Sequence, residues 1–408
     1  MDKVRLAVIG LGGRGYGMLR DIFVHFEEVE FTAVCDLYPD RVERASNVVF
    51  EKRGYRPFET DDYKAVLSRD DVDAVYIATA WETHIEIAIA AMKAGKITSI
   101  EVGGAYSIDE CFDLVHTYET TKTPFMFMEN CCYGKEELMT TALVRDGRLG
   151  TVVHCHGAYA HDLRSEISNG NIKRHYRLRN YLNRNCENYP THELGPIAKL
   201  LNINRGNRML SLVSVASKSA GIEEYIEAHP ELKEKDPTLN GVDFKQGDVV
   251  NTIITCAGGE TITLRLDTSL PRFYSREFTV RGTKGLYDPH HNMYYFDGMK
   301  EFDATEYHGN ARDFEAEYLP KIWQKVTPDD LKYGHGGIDG LLFAAFIDAI
   351  RTGSPMPIDV YDAASWMCIS ALSEESISKG GAPVAIPDFT GGKWLIRKPE
   401  DITDLSKN

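Results

Sequence analysis

Val4-Arg5-Leu6-Ala7-Val8-Ile9 runs directly into Gly10-Leu11-Gly12-Gly13-Arg14-Gly15. A short apolar run that ends at glycine reads as a buried strand. The residues from Tyr16 to about Phe26 read as the helix that follows. G-x-G-x-x-G is a weak signal alone, but between a strand and a helix it has the context it needs. Its glycines permit a tight turn and let a pyrophosphate approach the helix N-terminus closely. The next strand, Glu30-Phe31-Thr32-Ala33-Val34-Cys35, ends at Asp36. A carboxylate there accepts hydrogen bonds from ribose hydroxyls and repels the extra phosphate of NADP. Arg41, a few residues on, softens that discrimination. These residues predict an α/β Rossmann domain that binds NAD.

More strand–helix units follow. Asp73 to Thr79 is a strand, and Trp81-Glu82-Thr83-His84 opens the helix after it. Ile97 to Ile100 ends at Glu101-Val102, and Pro124 to Met128 ends at Glu129-Asn130. Ligands of an open parallel sheet bind beyond the carboxyl ends of its strands. Trp81, His84, Glu101, Val102 and Asn130 are therefore expected to line the cofactor crevice with Gly10, Gly12, Gly13, Arg14, Gly15 and Asp36. The alternative for each is an ordinary cap or loop residue. A helix over Lys135 to Arg145 and the turn Gly147-Arg148-Leu149-Gly150 close this first domain at residues 1–150.

From Thr151 the pattern changes. Thr151 to His161 alternates like a strand, with His154 and His156 on one side. Two histidines with no third ligand at a sensible spacing are a half-exposed strand face rather than a metal site. Leu163 to Asn188 reads as a long loop carrying Arg164, Arg174, Arg177, Arg179 and Arg184, suited to an oxygen-rich or anionic ligand. Leu210 to Ser217, Val249 to Cys256, Thr261 to Asp267, Glu277 to Arg281 and Met293 to Phe296 read as strands. The charged stretch Glu223 to Lys235 reads as a surface excursion between the first two. Strands in succession after a βαβ domain predict a separate, open, mainly antiparallel sheet. Helices return over Gly340 to Arg351 and Tyr361 to Ser378, after the loop Tyr333-Gly334-His335-Gly336-Gly337. Three glycines around a histidine suit either a backbone close to a ligand or a plain turn. Residues 151–408 are thus expected to form an α+β substrate-binding domain, its last helices packed back on the first domain.

Between the arginine-rich loop and those strands stands Asn188-Tyr189-Pro190-Thr191-His192-Glu193-Leu194-Gly195-Pro196. Proline in a first turn after a polar residue is a helix start. It puts Tyr189 and His192 three apart on one face, at a helix N-terminus where the dipole disfavours a charged imidazole. Such a pair can take and return protons near neutral pH. A capped helix with a buried, satisfied histidine is the plainer alternative.

The composition limits the partners. A chain of 408 residues has room for two cores. Its net charge of -15 argues against nucleic acid and anionic membrane surfaces. No apolar run is long enough to span a bilayer. Met1-Asp2-Lys3 leads straight into the first strand, and the eight cysteines follow no disulfide or zinc spacing, so a reduced, cytoplasmic protein is expected.

Taken together, the chain resembles the glucose-fructose oxidoreductase / inositol dehydrogenase / MocA (Gfo/Idh/MocA) family over nearly its whole length. Within it, several runs are similar to the NAD-dependent glycosidases of glycoside hydrolase family 109, whose founding activity is α-N-acetylgalactosaminidase. Those runs are Gly12-Gly13-Arg14-Gly15, Trp81-x-x-His84, Glu101-Val102, Glu129-Asn130, Tyr189-Pro190-Thr191-His192 and Tyr333-Gly334-His335-Gly336-Gly337. Sugar dehydrogenases of the wider family usually carry Glu-Lys-Pro after the fifth strand; here the place reads Glu101-Val102-Gly103-Gly104, with no lysine. They also tend to carry Asp-x-x-x-His at the central helix, where this chain has Tyr189-x-x-His192. Gly103-Gly104 stands where the glycosidases tend to have a proline, which marks a distinct subgroup.

The resemblance implies hydrolysis with no net redox. NAD takes a hydride from C3 of the sugar, the C3 ketone acidifies the C2 proton, and its loss expels the glycosidic oxygen. Water then adds and the hydride returns. Tyr189 or His192 would act at the C3 hydroxyl or at C2. Tyr159, Arg177, Thr191, Tyr274 and His335 would bind the carbohydrate. No metal is implied, and a homo-oligomer, dimer or higher, is expected by analogy. A sugar or polyol dehydrogenase and a non-catalytic NAD- or sugar-binding sensor are the competing readings.

Overall fold

The computed structural model describes residues 3–332, 334–402 and 404–405, so Tyr333 lies outside the described residues. Among these, two sheets carry the architecture. The first runs β3-β2-β1-β4-β5-β6, with β1 Val4–Ile9, β2 Val29–Cys35, β3 Phe58–Thr60, β4 Ala74–Ile77, β5 Ile97–Ile100 and β6 Phe125–Phe127. All its pairings are parallel. Parallel strands are covered on both faces by their crossover helices, so β4 reads as an unbroken apolar run and β1 is apolar apart from Arg5, and both are almost wholly buried.

The second sheet comprises β7 Val152–Ala160, β8 Met209–Ala216, β9 Val249–Cys256, β10 Thr261–Asp267, β11 Thr279–Gly282, β12 Gly285–Asp288, β13 Met293–Phe296 and β14 Val384–Ala385. Its order is β13-β12-β11-β7-β10-β9-β8-β14. Only β7 and β10 pair in parallel; the other pairings are antiparallel. Burial along β9 alternates residue by residue, as one-sided packing requires. Helices Thr191–Leu200 and Val360–Ser378 cover the inner face, while Val215 and Ile253 of the outer face are about half exposed. Gly157 of β7 lets the first of these helices lie close, because a Cβ there would sit 2.8 Å from Glu193 Cβ.

Several expectations need correction. The first helix spans Gly13–Asp21 and gives way to a 3-10 turn, Phe23–His25, rather than continuing to Phe26. Leu163 to Asn188 is not one loop. It contains helices Arg164–Ser168 and Arg177–Asn183, anchored by buried Ile167, Leu178 and Tyr181. Helices of one or two turns are too short to show a period. The stretch Glu223 to Lys235 folds into helices Gly221–Ala228 and Pro230–Lys235. The central helix starts at Thr191, so Tyr189 and Pro190 precede it. β11 starts at Thr279 rather than Glu277, and β3, β12 and β14 add to the strands read from the sequence.

Late elements return to the first sheet. Phe343, in helix Ile338–Thr352, stacks on Phe23 at 3.9 Å between ring centroids. The Phe127 and Ala105 amides donate to the carbonyls of Ile358 and Met367.

Candidate active site

The cofactor set gathers at the carboxyl ends of β1, β2, β4, β5 and β6. Gly10 has φ +91°, and a Cβ there would lie 2.5 Å from the Ala78 backbone. At Gly15 a Cβ would fall 1.9 Å from the Gly10 carbonyl oxygen. Gly13, by contrast, faces open space, and helix Gly13–Asp21 has no side-chain cap on its first amides. Uncapped amides beside bare backbone make a cradle for an anion, so the residues present fit a pyrophosphate. Asp36 is nearly buried. Its Oδ2 accepts from the Leu11 amide at 2.7 Å and its Oδ1 from the Tyr38 amide at 3.0 Å. Each oxygen keeps a second lone pair for a ribose hydroxyl. Arg41 is occupied: it lies 3.6 Å from Asp36 and donates to the carbonyls of Lys173 and Arg174.

Arg14 turns inward. It donates to Glu101 Oε1 at 2.8 Å and to both oxygens of Asp339, at 2.8 and 2.9 Å. Tyr76 donates to the same Glu101 oxygen, and Asn130 to Asp339. Burial opposes ionisation of Asp339, but Arg14 and His335 hold its carboxyl far below the usual range. His335, expected among the sugar contacts, is bonded to Asp339 at 2.8 Å, next to Arg14 of the cofactor set. His84 is buried, with Nε2 3.0 Å from the Thr79 carbonyl oxygen, and burial lowers its pKa. Val102 is buried where the dehydrogenases carry lysine. Gly103 makes room for Trp81: a Cβ there would lie 2.5 Å from the indole Cδ1.

Trp81 joins this set to an aromatic cluster. Its ring stacks on Tyr189 at 5.3 Å and meets Tyr176 at 4.7 Å. Tyr189 touches Tyr159 at 4.5 Å and His192 at 4.8 Å, and its hydroxyl lies 3.5 Å from His192 Nε2. The buried Arg177 guanidinium sits 5.0 Å from the ring centroids of both Trp81 and Tyr189 and 6.0 Å from that of Tyr159. Its Nε is 2.7 Å from Glu166 Oε1. Burial pushes the Tyr159 phenol up to about 12, with Arg177 acting the other way. Burial, with Tyr159 alongside, raises Tyr189 further. Both phenols therefore hold their protons at neutral pH. Tyr274 is about half exposed and meets the cluster edge-on through His161, 5.2 Å away. Thr191 is fully buried beside Glu129, away from open space.

The opposing partner of His192 is Glu129, whose Oε1 lies 2.7 Å from Nδ1. Burial works against the charge of Glu129, but His192 outweighs it and the carboxyl stays below its ordinary range. A buried carboxylate therefore faces this imidazole. Sγ of Cys131, Nδ1 or Nε2 of His192 and a Glu129 oxygen lie within 4.8 Å of one another, a spacing that could hold a cation. Glu129 and His192 are already directly bonded, and burial pushes the Cys131 thiol far up, away from the thiolate a metal takes.

Each arginine of the 163–188 stretch lies against a carboxylate. Arg164 pairs with Asp162, Arg174 with Asp40, Arg177 with Glu166, Arg179 with Glu82 and Arg184 with Glu374. Asp40 and Glu82 belong to the helices that follow β2 and β4, so the stretch straps across the cofactor side. The sequence reading also passed over Asp339, four residues after His335 at a helix start, and His161, two after Tyr159 at a strand end. Beneath Tyr189–His192, Glu187 and Glu193 are buried against each other.

Residues 4–128 match an oxidoreductase family described as an NAD-binding Rossmann fold, and residues 133–396 match the C-terminal domain of glycosyl hydrolase 109. A glycosyl hydrolase family 109 protein of Solibacter usitatus (strain Ellin6076) is 38% identical over 404 residues, covering 97% of this chain and 90% of that one. An alpha-N-acetylgalactosaminidase of Tannerella forsythia is 36% identical over 428 residues, covering 97% and 88%. Among solved structures, a levoglucosan dehydrogenase in complex with NADH and levoglucosan superposes with a TM-score of 0.68 over 94% of this chain and 100% of that one. At 19% identity that likeness concerns the fold. On a Gfo/Idh/MocA-type fold with an NAD-binding Rossmann domain, the chain belongs to glycosyl hydrolase family 109.

Proposed function

We propose that this protein is an NAD-dependent glycosidase that hydrolyses α-N-acetylgalactosaminides without net redox change. The observation that carries the reading is the Tyr189–His192–Glu129 chain, which abuts Trp81 of the cofactor set through Tyr189, while Val102 takes the place of a lysine. Bound NAD supplies a reversible hydride acceptor that lets C3 of the sugar pass through the ketone level.

In this reading Gly10, Gly12, Gly13 and Gly15 carry the pyrophosphate and Asp36 the ribose. Trp81, His84, Glu101, Val102 and Asn130 line the crevice, with Arg14 held by Glu101 and Asp339. Tyr189 and His192 between them move two protons, one on the C3 hydroxyl and one on C2. Glu129 orients the imidazole and stabilises it when charged. Arg177 and Tyr159 supply a cation and a phenol for the oxygen that gains charge when the C2 proton leaves, and Tyr274 meets the sugar from the open side. Residues 1–150 would serve the cofactor and 151–408 the sugar. The half-exposed Val215 and Ile253 on the outer sheet face support a homo-oligomer, and eight buried, unpaired cysteines support a cytoplasmic setting.

The test is hydrolysis of 4-nitrophenyl α-N-acetylgalactosaminide in deuterated water with no added cofactor. Deuterium at C2 of the released sugar without net NADH is the expected result, and His192→Ala abolishes both. NADH accumulating in proportion to added NAD and free sugar would make the protein a dehydrogenase instead.

A further inference from the structure

Elimination across C1–C2 moves a third proton besides those at C3 and C2: the aglycone oxygen must gain one unless it leaves as a stable anion. Tyr189 and His192 already serve the ring carbons. A second tyrosine–histidine pair lies beside them. Tyr159 Oη is 3.3 Å from His161 Nδ1, and the Tyr159 ring touches both Tyr189 and His192, at 4.5 and 5.5 Å between centroids. The His161 backbone amide donates to the Asp267 carbonyl at 3.0 Å, fixing the end of β7 against β10. Nδ1 is taken by Tyr159, and Nε2 has no hydrogen-bond partner among the described residues. On its far side the ring meets Tyr274, which is 45% exposed. Tyr159 and Tyr189 are buried beside His192, His161 follows, and Tyr274 stands at the surface. A glycoside whose sugar ring lay against Tyr189 would meet solvent along that row, with its aglycone beside His161.

We propose that His161, with Tyr159 behind it, is the proton relay for the glycosidic oxygen; the proposal rests on the glycosidase reading above. As the C1–O bond breaks, its electron pair goes to the aglycone oxygen, and the C2–H pair becomes the C1–C2 double bond. The oxygen takes the proton of His161 Nε2 while Nδ1 takes the phenolic proton of Tyr159. Arg177, 6.0 Å from the Tyr159 ring, faces the phenolate this leaves. When water adds at C1 the relay reverses: Nε2 takes a proton from the water and Nδ1 returns one to Tyr159. The groups facing His161 suit a neutral relay rather than a stored charge. Burial and Arg177 hold its pKa down, and His192 adds to that against Glu166 and Asp162.

The test compares two aglycones in His161→Gln and Tyr159→Phe. Methanol needs a proton to leave, and 4-nitrophenol does not. On methyl α-N-acetylgalactosaminide, His161→Gln is expected to lose about 100-fold in kcat/KM, but less than about fivefold on the 4-nitrophenyl glycoside. Deuterium still enters C2 of the product, and Tyr159→Phe shows the same aglycone dependence on top of any loss common to both substrates. Equal losses on the two aglycones, or loss of C2 exchange in step with hydrolysis, would overturn the relay while leaving the glycosidase reading in place. A wild-type protein that cleaves neither substrate overturns both. Retained NAD absorbance and an unchanged Tm in His161→Gln separate chemistry from misfolding; if that variant melts early, His161→Asn takes its place in the same comparison.

Discussion

Nδ1 of His192 lies 2.7 Å from Oε1 of Glu129, and that carboxylate has no exposed surface. The bond holds Nδ1 against the carboxylate and turns Nε2 towards the Tyr189 hydroxyl. Glu129→Gln keeps the shape but removes the charge. It is expected to lower kcat about 100-fold with little change in KM, since a positioning carboxylate acts in the transition state rather than on substrate binding. Nucleotide absorbance should stay with the purified variant. Equal activity of Glu129→Gln and wild type would remove Glu129 from the proton-handling chain.

The strap over the cofactor side makes a separate prediction. Arg174 pairs with Asp40 and Arg179 with Glu82, both pairs at the ends of helices that follow parallel strands. The pairs are exposed, so each alone counts for little; Asp40→Asn with Glu82→Gln is expected to speed NAD release roughly tenfold. Wild-type protein should carry NAD through purification, and the double variant should lose it on extended dialysis. Stopped-flow release rates check this, and identical rates would mean that the strap does not cover the cofactor.

Gly103 is tied to Trp81 by space. Its Cβ would lie 2.5 Å from Cδ1 of the indole. Gly103→Ala must therefore move Trp81, and with it the stack on Tyr189. The variant is expected to lose about 1–3 kcal/mol of stability from overpacking and to raise KM for the glycoside. Gly13→Ala, which faces open space, should leave apo-protein stability nearly unchanged while weakening NAD binding. Denaturant titration and NAD titration of the apo-proteins separate the two effects.

What the sequence revealed and what it hid follow the range of the contacts. β1, β9, β10 and β13 were legible because burial on two faces or one leaves an unbroken or alternating apolar pattern within the strand itself. The glycine loop was legible because its spacing between a strand and a helix is a pattern within one short segment. Tyr159, Arg177 and Tyr189 lie together around His192. The partners of these residues were hidden, because they lie far away in sequence. Glu129 reaches His192 across 63 positions and Asp339 reaches Arg14 across 325. No period reports such pairs. The Asp339 partner of His335 was hidden too, because glycines around a histidine signal a tight turn but not what the turn faces.

The last prediction concerns pH. Glu187 and Glu193 are buried against each other below the Tyr189–His192 segment. Burial, then the neighbouring carboxyl, raises Glu193 well above its ordinary value, and burial pushes Glu187 up to about 8. A carboxyl whose folded pKa lies above its unfolded value favours the folded state fully only below the unfolded pKa, near 4.5. That contribution fades as pH rises towards 8, because the unfolded chain ionises while the folded one resists. Wild-type Tm is therefore expected to fall between about pH 5 and pH 8. Glu193→Gln replaces a titrating carboxyl with a permanently neutral amide and should flatten the fall, melting a few °C above wild type at pH 8 but not at pH 5. Calorimetry of the NAD-loaded proteins at both pH values checks it, and parallel Tm curves for the two proteins would mean that the pair is not protonated in the fold.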